Sequence, residues 1–141
     1  MIRKLQAADI DRVADIWLNT NIEAHDFIPI QYWKSNFDSV KEMFQHAEVY
    51  VYEDKKGIQG FAGLSNEYIE GIFVSKTVQS QGIGSFLLNF IKGRKEKLQL
   101  NVYEKNTRAI RFYQREGFQI LCKSLDENTG EKEYVMVWLH K

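Results

Sequence analysis

Between Tyr68 and Lys97 the chain passes from a strand to a helix through a loop that sets two glycines at the helix's first turn, and no other stretch restricts the fold as much. Tyr68-Ile69-Glu70-Gly71-Ile72-Phe73-Val74 has the β-branched and aromatic content of a strand. Gly82-Ile83-Gly84 then opens a run in which Ile83, Leu87, Phe90, Ile91 and Arg94 share one helical face, which predicts a helix ending near Lys97. Glycine lets a ligand approach the backbone closely, and the unpaired N–H groups of a helix start carry the positive end of its dipole. A pyrophosphate suits such a loop; the alternative is that the glycines only shape the turn. A dinucleotide fingerprint would need a small residue where Leu87 stands, and a Walker loop would need Gly-Lys-Ser or Gly-Lys-Thr after its glycines, so neither motif applies.

Around this passage the remaining elements follow from periodicity. Ile2 to Leu5 reads as a short strand, and Ile10, Val13, Ala14 and Trp17 form the stripe of an amphipathic helix. Pro29 suits the first turn of a second helix, continued by Trp33, Phe37, Val40, Met43 and Phe44 to about Gln45. Val49 to Tyr52, Ile58 to Leu64 and Tyr68 to Val74 form an antiparallel meander, with Asp54-Lys55-Lys56-Gly57 as a turn. Leu98 to Tyr103 alternates with period two. Asn106 or Thr107 then caps a helix through Arg115, which Gly117 stops where left-handed backbone is wanted. Phe118 to Lys123 and Tyr134 to Leu139 close the chain around the turn-rich Asp126-Glu127-Asn128-Thr129-Gly130. The order β-α-α-β-β-β-α-β-α-β-β is an α+β plan, read as a single domain over residues 1–141.

Two segments carry a family resemblance. Gln79-Ser80-Gln81-Gly82-Ile83-Gly84 resembles the Gln/Arg-x-x-Gly-x-Gly/Ala acetyl-coenzyme A loop of the GNAT N-acetyltransferases, after the expected strand and before the expected helix. Asn106-Thr107-Arg108-Ala109-Ile110-Arg111-Phe112-Tyr113-Gln114-Arg115-Glu116-Gly117-Phe118 is similar to the same family's Asn-x-x-Ala-x-x-Phe-Tyr-x-x-x-Gly-Phe signature at every fixed position. The resemblance implies a mixed, mostly antiparallel sheet of about seven strands flanked by about four helices, with a splay between the fourth and fifth strands. It also implies acetyl-coenzyme A as donor, no metal, and transfer of the acetyl group to a primary amine of a small molecule, peptide or protein in a ternary complex. A non-catalytic acyl-coenzyme A sensor is the alternative. The chain departs from the family where many members have Pro near Lys76, Gly at Ser80 and Arg at Gln79. The last departure removes a positive charge, so pyrophosphate binding would lean more on backbone amides.

Residue roles follow from the resemblance. The backbone of Ile72, Phe73 and Val74 would pair with the pantetheine arm, and Gln79 through Ser85, with Gln81, Ile83 and both glycines, would cradle the phosphates. Tyr113 would protonate the departing thiolate; its alternative is a core aromatic. Glu70, placed by strand alternation on the face of Ile72, would bind or deprotonate the amine, against the alternative of an exposed strand carboxylate. Asn106 would hydrogen-bond the coenzyme, or serve only as an N-cap. Asn101 could face the substrate, and His25, Asp26, Phe27, Tyr32 and Trp33 lie where the family builds its acceptor pocket, His25 being a second candidate base.

Bulk properties narrow the partners. Nineteen Lys and Arg balance nineteen Asp and Glu, so there is no basic field for nucleic acid or an anionic membrane. This also disfavours acetylation of aminoacyl-tRNA. No apolar run reaches membrane-spanning length and the N-terminus lacks an apolar leader segment, which points to a cytoplasmic protein. A monomer or a homodimer is expected, with no sequence feature that chooses between them. Cys122 stands alone in a strand-like segment and is expected to be a buried structural thiol.

Overall fold

The computed structural model describes residues 1–140. Its elements are β1 (Ile2–Lys4), α1 (Ile10–Ala24), α2 (Ile30–Phe44), β2 (Glu48–Asp54), β3 (Gly57–Ser65), β4 (Tyr68–Val74), α3 (Ile83–Lys92), β5 (Lys97–Tyr103), α4 (Thr107–Arg115), β6 (Gln119–Asp126) and β7 (Glu131–Leu139). Short 3₁₀ turns occupy Ala7–Asp9 and Lys76–Val78. The order is the one expected from periodicity. The strands form one sheet in the order β1-β2-β3-β4-β5-β7-β6.

Every pairing is antiparallel except β4 with β5, which run parallel and meet at the single pair Tyr68↔Gln99. The Gln99 N–H also donates to Glu67 O at 2.9 Å. Past this point the two strands have no ladder between them, so the edge of β4 from Ile69 onward faces a gap. This is the expected splay between the fourth and fifth strands.

Apolar residues bury on both faces of the sheet. Leu87, Leu88 and Ile91 of α3 pack with Ala62, Leu64, Ile69, Leu98, Leu100 and Met136, while Val13 and Ile16 of α1 pack with Val49, Val51, Ile58 and Phe61 on the other side. Truncating a fully buried residue such as Leu87 to Ala should cost about 2–5 kcal/mol. At the sheet's start, the Arg3 guanidinium donates to both carboxylate oxygens of Asp9 at 2.7 and 3.1 Å and to Glu53 at 3.0 Å. Those bonds hold the Asp9 carboxyl below its ordinary range and tie β1 to the start of α1.

Two expectations need correction. The helix after the loop ends at Lys92 rather than near Lys97. Arg94 continues the helical spacing in sequence but lies beyond the cap at Gly93, with its guanidinium folded back to 3.6 Å from the Phe90 ring centroid. Cys122 is exposed, not buried. It lies on β6, one of the sheet's two edge strands, which is bonded only to β7 and is exposed from Gln119 to Leu125. Among the described residues no helix is long and apolar enough to cross a membrane.

Candidate active site

The end of β4, the loop after it and the start of α3 form one wall of a cleft. Ser80 and Gly82 both take left-handed backbone, with φ of +66° and +86°, and this double reversal turns the chain into α3. The first helical bond of α3 runs from the Phe86 N–H to Gly82 O at 3.0 Å. The amides of Ile83, Gly84 and Ser85 precede it and have no acceptor within the helix. Gln79 is held by its own side chain, which donates from Nε2 to Val74 O at 2.9 Å. A Cβ on Gly84 would lie 3.3 Å from the Phe112 ring, so glycine there allows α4 to dock close to α3.

The opposite wall is α4. Asn106 is its N-cap, with Oδ1 accepting from the Ala109 N–H at 3.2 Å. Tyr113 is buried, its ring edge-on to Phe112 and Phe118 at 5.2 and 5.5 Å. Burial raises the Tyr113 phenol above its ordinary value, with Tyr68 adding to the shift. Such a phenol keeps its proton at neutral pH.

Between the walls lies a cleft of about 650 Å³. It brings together Ile72, Phe73, Val74, Gln79, Ser80, Gly82, Ile83, Gly84, Ser85, Asn106, Tyr113 and, from the end of α1, His25. Gln81, Glu70, Asp26, Phe27, Tyr32, Trp33 and Asn101 lie outside its lining. The cleft is lined by the free edge of β4 at Ile72, Phe73 and Val74 and by the start of α3, so it offers unpaired backbone groups and helix-start amides to a ligand. Among the described residues no cluster of three or more His, Cys, Asp or Glu is arranged to hold a metal.

Glu70 does not share a face with Ile72. The register between β3 and β4 shifts between Gly63 and Leu64, leaving Glu70 as the extra residue of a bulge. Its Cβ lies 3.9 Å from where a Cβ on Gly63 would stand, on the side of α1, while Ile72 packs toward α3. There Ser65 Oγ donates to Glu70 Oε1 at 3.1 Å.

The acceptor-side residues form an aromatic cluster. His25 stacks on Trp33 at 5.3 Å and meets Phe27 and Tyr103 edge-on, while Tyr32 packs edge-on to Trp33. Trp33 is only 6% exposed and builds the cluster from behind. Asn101 Nδ2 donates to Glu133 Oε1 at 3.0 Å, and the Tyr103 hydroxyl donates to Asp126 at 2.6 Å. Burial, with Glu70 and Glu133 nearby, pushes the Tyr68 phenol up to about 12. Asp26 is exposed. Burial lowers His25 to about 4, the Asn21 backbone pulling slightly the other way.

Sequence reasoning missed two groups in the cleft wall: Thr20, Asn21 and Ala24 on α1, and Arg108, Arg111 and Arg115 on α4. The arginines recur at i, i+3 and i+7, a one-face spacing visible in the sequence. Nothing in the α1 sequence marks its last turns as lining.

The chain's likeness to known proteins agrees with this geometry. A family model described as Acetyltransferase (GNAT) domain matches residues 45–120, the meander, loop, α3, β5 and α4 that build both walls. The curated Peptidyl-lysine N-acetyltransferase YiaC of Escherichia coli (strain K12) is 29% identical over 140 residues, covering 98% of this chain and 96% of its own. Among solved structures, apo-form YjaB from Escherichia coli superposes with a TM-score of 0.88 at 23% identity, covering 100% of this chain and 98% of that one. The PaiA N-acetyltransferase from Thermoplasma acidophilum, solved in complex with coenzyme A, gives 0.82 at 15% identity, covering 99% and 98%. With the splayed β4, the glycine loop and the α4 signature all in one cleft, the chain belongs to the GNAT acetyltransferase family.

Proposed function

We propose that this protein is an N-acetyltransferase that passes the acetyl group of acetyl-coenzyme A directly to a primary amine, with the side-chain amine of a lysine in a protein or peptide as acceptor. The observation that carries this reading is the cleft itself. One continuous space of about 650 Å³ is lined by the free helix-start amides of α3, the unladdered edge of β4 and Tyr113. A thioester donor supplies an activated acetyl group; the chain must bind it, hold its carbonyl, and manage two protons.

The amides of Ile83, Gly84 and Ser85, with the dipole of α3 behind them, suit a pyrophosphate. The β4 edge at Ile72, Phe73 and Val74 offers backbone groups to the pantetheine arm and a donor to the thioester carbonyl. Tyr113, protonated at neutral pH, stands as the acid for the departing thiolate. Glu70, turned by the bulge toward α1, takes the amine proton through water. Asn106 contacts the coenzyme while capping α4.

The acceptor class rests on two supports. Curated relatives along nearly the full chain carry the name peptidyl-lysine N-acetyltransferase. The aromatic cluster of His25, Phe27, Tyr32 and Tyr103 is flanked by the carboxylates of Asp126 and Glu133, which suits a long side chain ending in an ammonium. The test is an assay of free thiol release with acetyl-coenzyme A and a panel of lysine peptides and small amines, paired with mass analysis of the peptide. Thiol release with one acetyl group gained on lysine is the expected result. Binding of acetyl-coenzyme A without transfer to any amine would make the chain a sensor instead.

A further inference from the structure

We infer that Arg108 is the pyrophosphate-facing cation of the cleft, supplying from α4 the charge that the loop lacks at Gln79 and fixing the loop's shape by bridging Gln79 and Ser80. The inference rests on the coenzyme A reading of the cleft. From Gln79 through Gly84 the loop carries no basic residue. Lys76, just before it, is committed elsewhere, its Nζ lying 3.0 Å from Glu23 of α1. The positive charge in the cleft wall therefore comes from α4, where Arg108, Arg111 and Arg115 share one face.

Of the three, Arg108 touches the loop. Its Nη1 donates to Gln79 Oε1 at 3.0 Å and its Nη2 donates to Ser80 Oγ at 3.1 Å. Gln79 in turn donates to Val74 O, so a continuous chain of bonds runs from the last residue of β4 through Gln79 to the first turn of α4. That chain fixes the orientation of the Gln79 amide: Nε2 points to Val74 and Oε1 to Arg108. Ser80 is held in left-handed backbone, a conformation that disfavours a side chain, and the Arg108 contact gives that side chain a partner there. A guanidinium has five N–H donors, and these two bonds leave three for an anion in the cleft. The planar fork of arginine makes this combination possible; a lysine could supply charge but not the bridge.

Isothermal titration of coenzyme A and of dephospho-coenzyme A, which lacks only the 3′-phosphate, tests the inference in wild type, Arg108→Ala, Arg108→Lys and the double variant Arg108→Ala with Gln79→Arg. Arg108 is exposed, so its replacement should leave the melting temperature nearly unchanged. Arg108→Ala should weaken both ligands by the same factor, roughly tenfold to a hundredfold, because both contain the pyrophosphate. Arg108→Lys should recover part of the loss, and Gln79→Arg in the Ala background should recover most of it. Arg108→Ala binding both ligands within twofold of wild type would overturn the inference, as would a loss confined to coenzyme A, which would move the charge to the 3′-phosphate. Failure of Gln79→Arg to restore binding would overturn the substitution of one cation for the other. A wild-type protein that bound neither ligand would overturn the coenzyme A reading itself.

Discussion

Asn106 Nδ2 lies 3.2 Å from Nε2 of His25, and the same Asn106 uses Oδ1 to cap α4. Because Oδ1 is engaged by the Ala109 N–H, the group facing His25 is the amide's donor, so Nε2 accepts and the ring proton sits on Nδ1. His25 is thereby held neutral with its lone pair occupied, which fits a positioning residue joining the end of α1 to the start of α4.

That relationship has a consequence for stability. Burial disfavours the charged form of His25 and pushes it from its ordinary 6.5 down to about 4 in the folded protein. Between these values the unfolded chain binds more protons than the folded one, so the stabilisation is full above pH 6.5 and is lost as pH falls toward 4. The loss should be on the order of 2–3 kcal/mol. Urea unfolding at several pH values between 7 and 4 should show His25→Gln with a shallower decline than wild type. Parallel declines would mean that His25 is not held neutral.

The same geometry separates the two candidates for the amine proton. Glu70→Gln should lower turnover roughly 10²-fold at neutral pH and recover as pH rises and free amine becomes abundant. His25→Ala should lower turnover without that recovery, since Nε2 is already bonded to Asn106. A pH–rate profile in which His25→Ala recovers and Glu70→Gln does not would transfer the role to His25.

At the loop, Gly82→Asp should abolish or weaken coenzyme A binding by at least roughly tenfold while the fold survives. A Cβ there meets nothing nearer than Phe86 at 3.9 Å, and Asp tolerates left-handed backbone better than most residues, so the strain is about 1 kcal/mol. The added carboxylate would sit among the amides that suit the phosphates. Calorimetry and thermal melts on the same sample check both halves, and unchanged affinity would remove the phosphates from this loop.

Much of the fold was legible because its periodicities are local. The stripe of Ile10, Val13, Ala14 and Trp17, the glycines of the loop and the Asn106 cap each specify an element from a few neighbouring residues. Apart from the end of α3, which the cap at Gly93 sets locally, what failed depends on residues far apart in sequence. Period-two alternation cannot tell an edge strand from a covered one, so Cys122 read as buried although β6 has no neighbour beyond it. The bulge that turns Glu70 away from Ile72 is set by the pairing of β4 with β3, not by β4 alone. Arg108 carried a visible spacing with Arg111 and Arg115, but its reach to Gln79 exists only once α4 has docked beside α3.

The central claim is that one cleft both binds the donor and completes the chemistry, with Tyr113 supplying the proton to the departing thiolate. Tyr113→Phe removes the hydroxyl and keeps the ring that packs between Phe112 and Phe118. Measured with saturating acetyl-coenzyme A and the best lysine peptide, its turnover should fall roughly 10²-fold to 10⁴-fold while coenzyme A affinity stays within twofold of wild type. Turnover within a few-fold of wild type, with at most about 1 kcal/mol of lost stability, would make Tyr113 a core aromatic and contradict the claim.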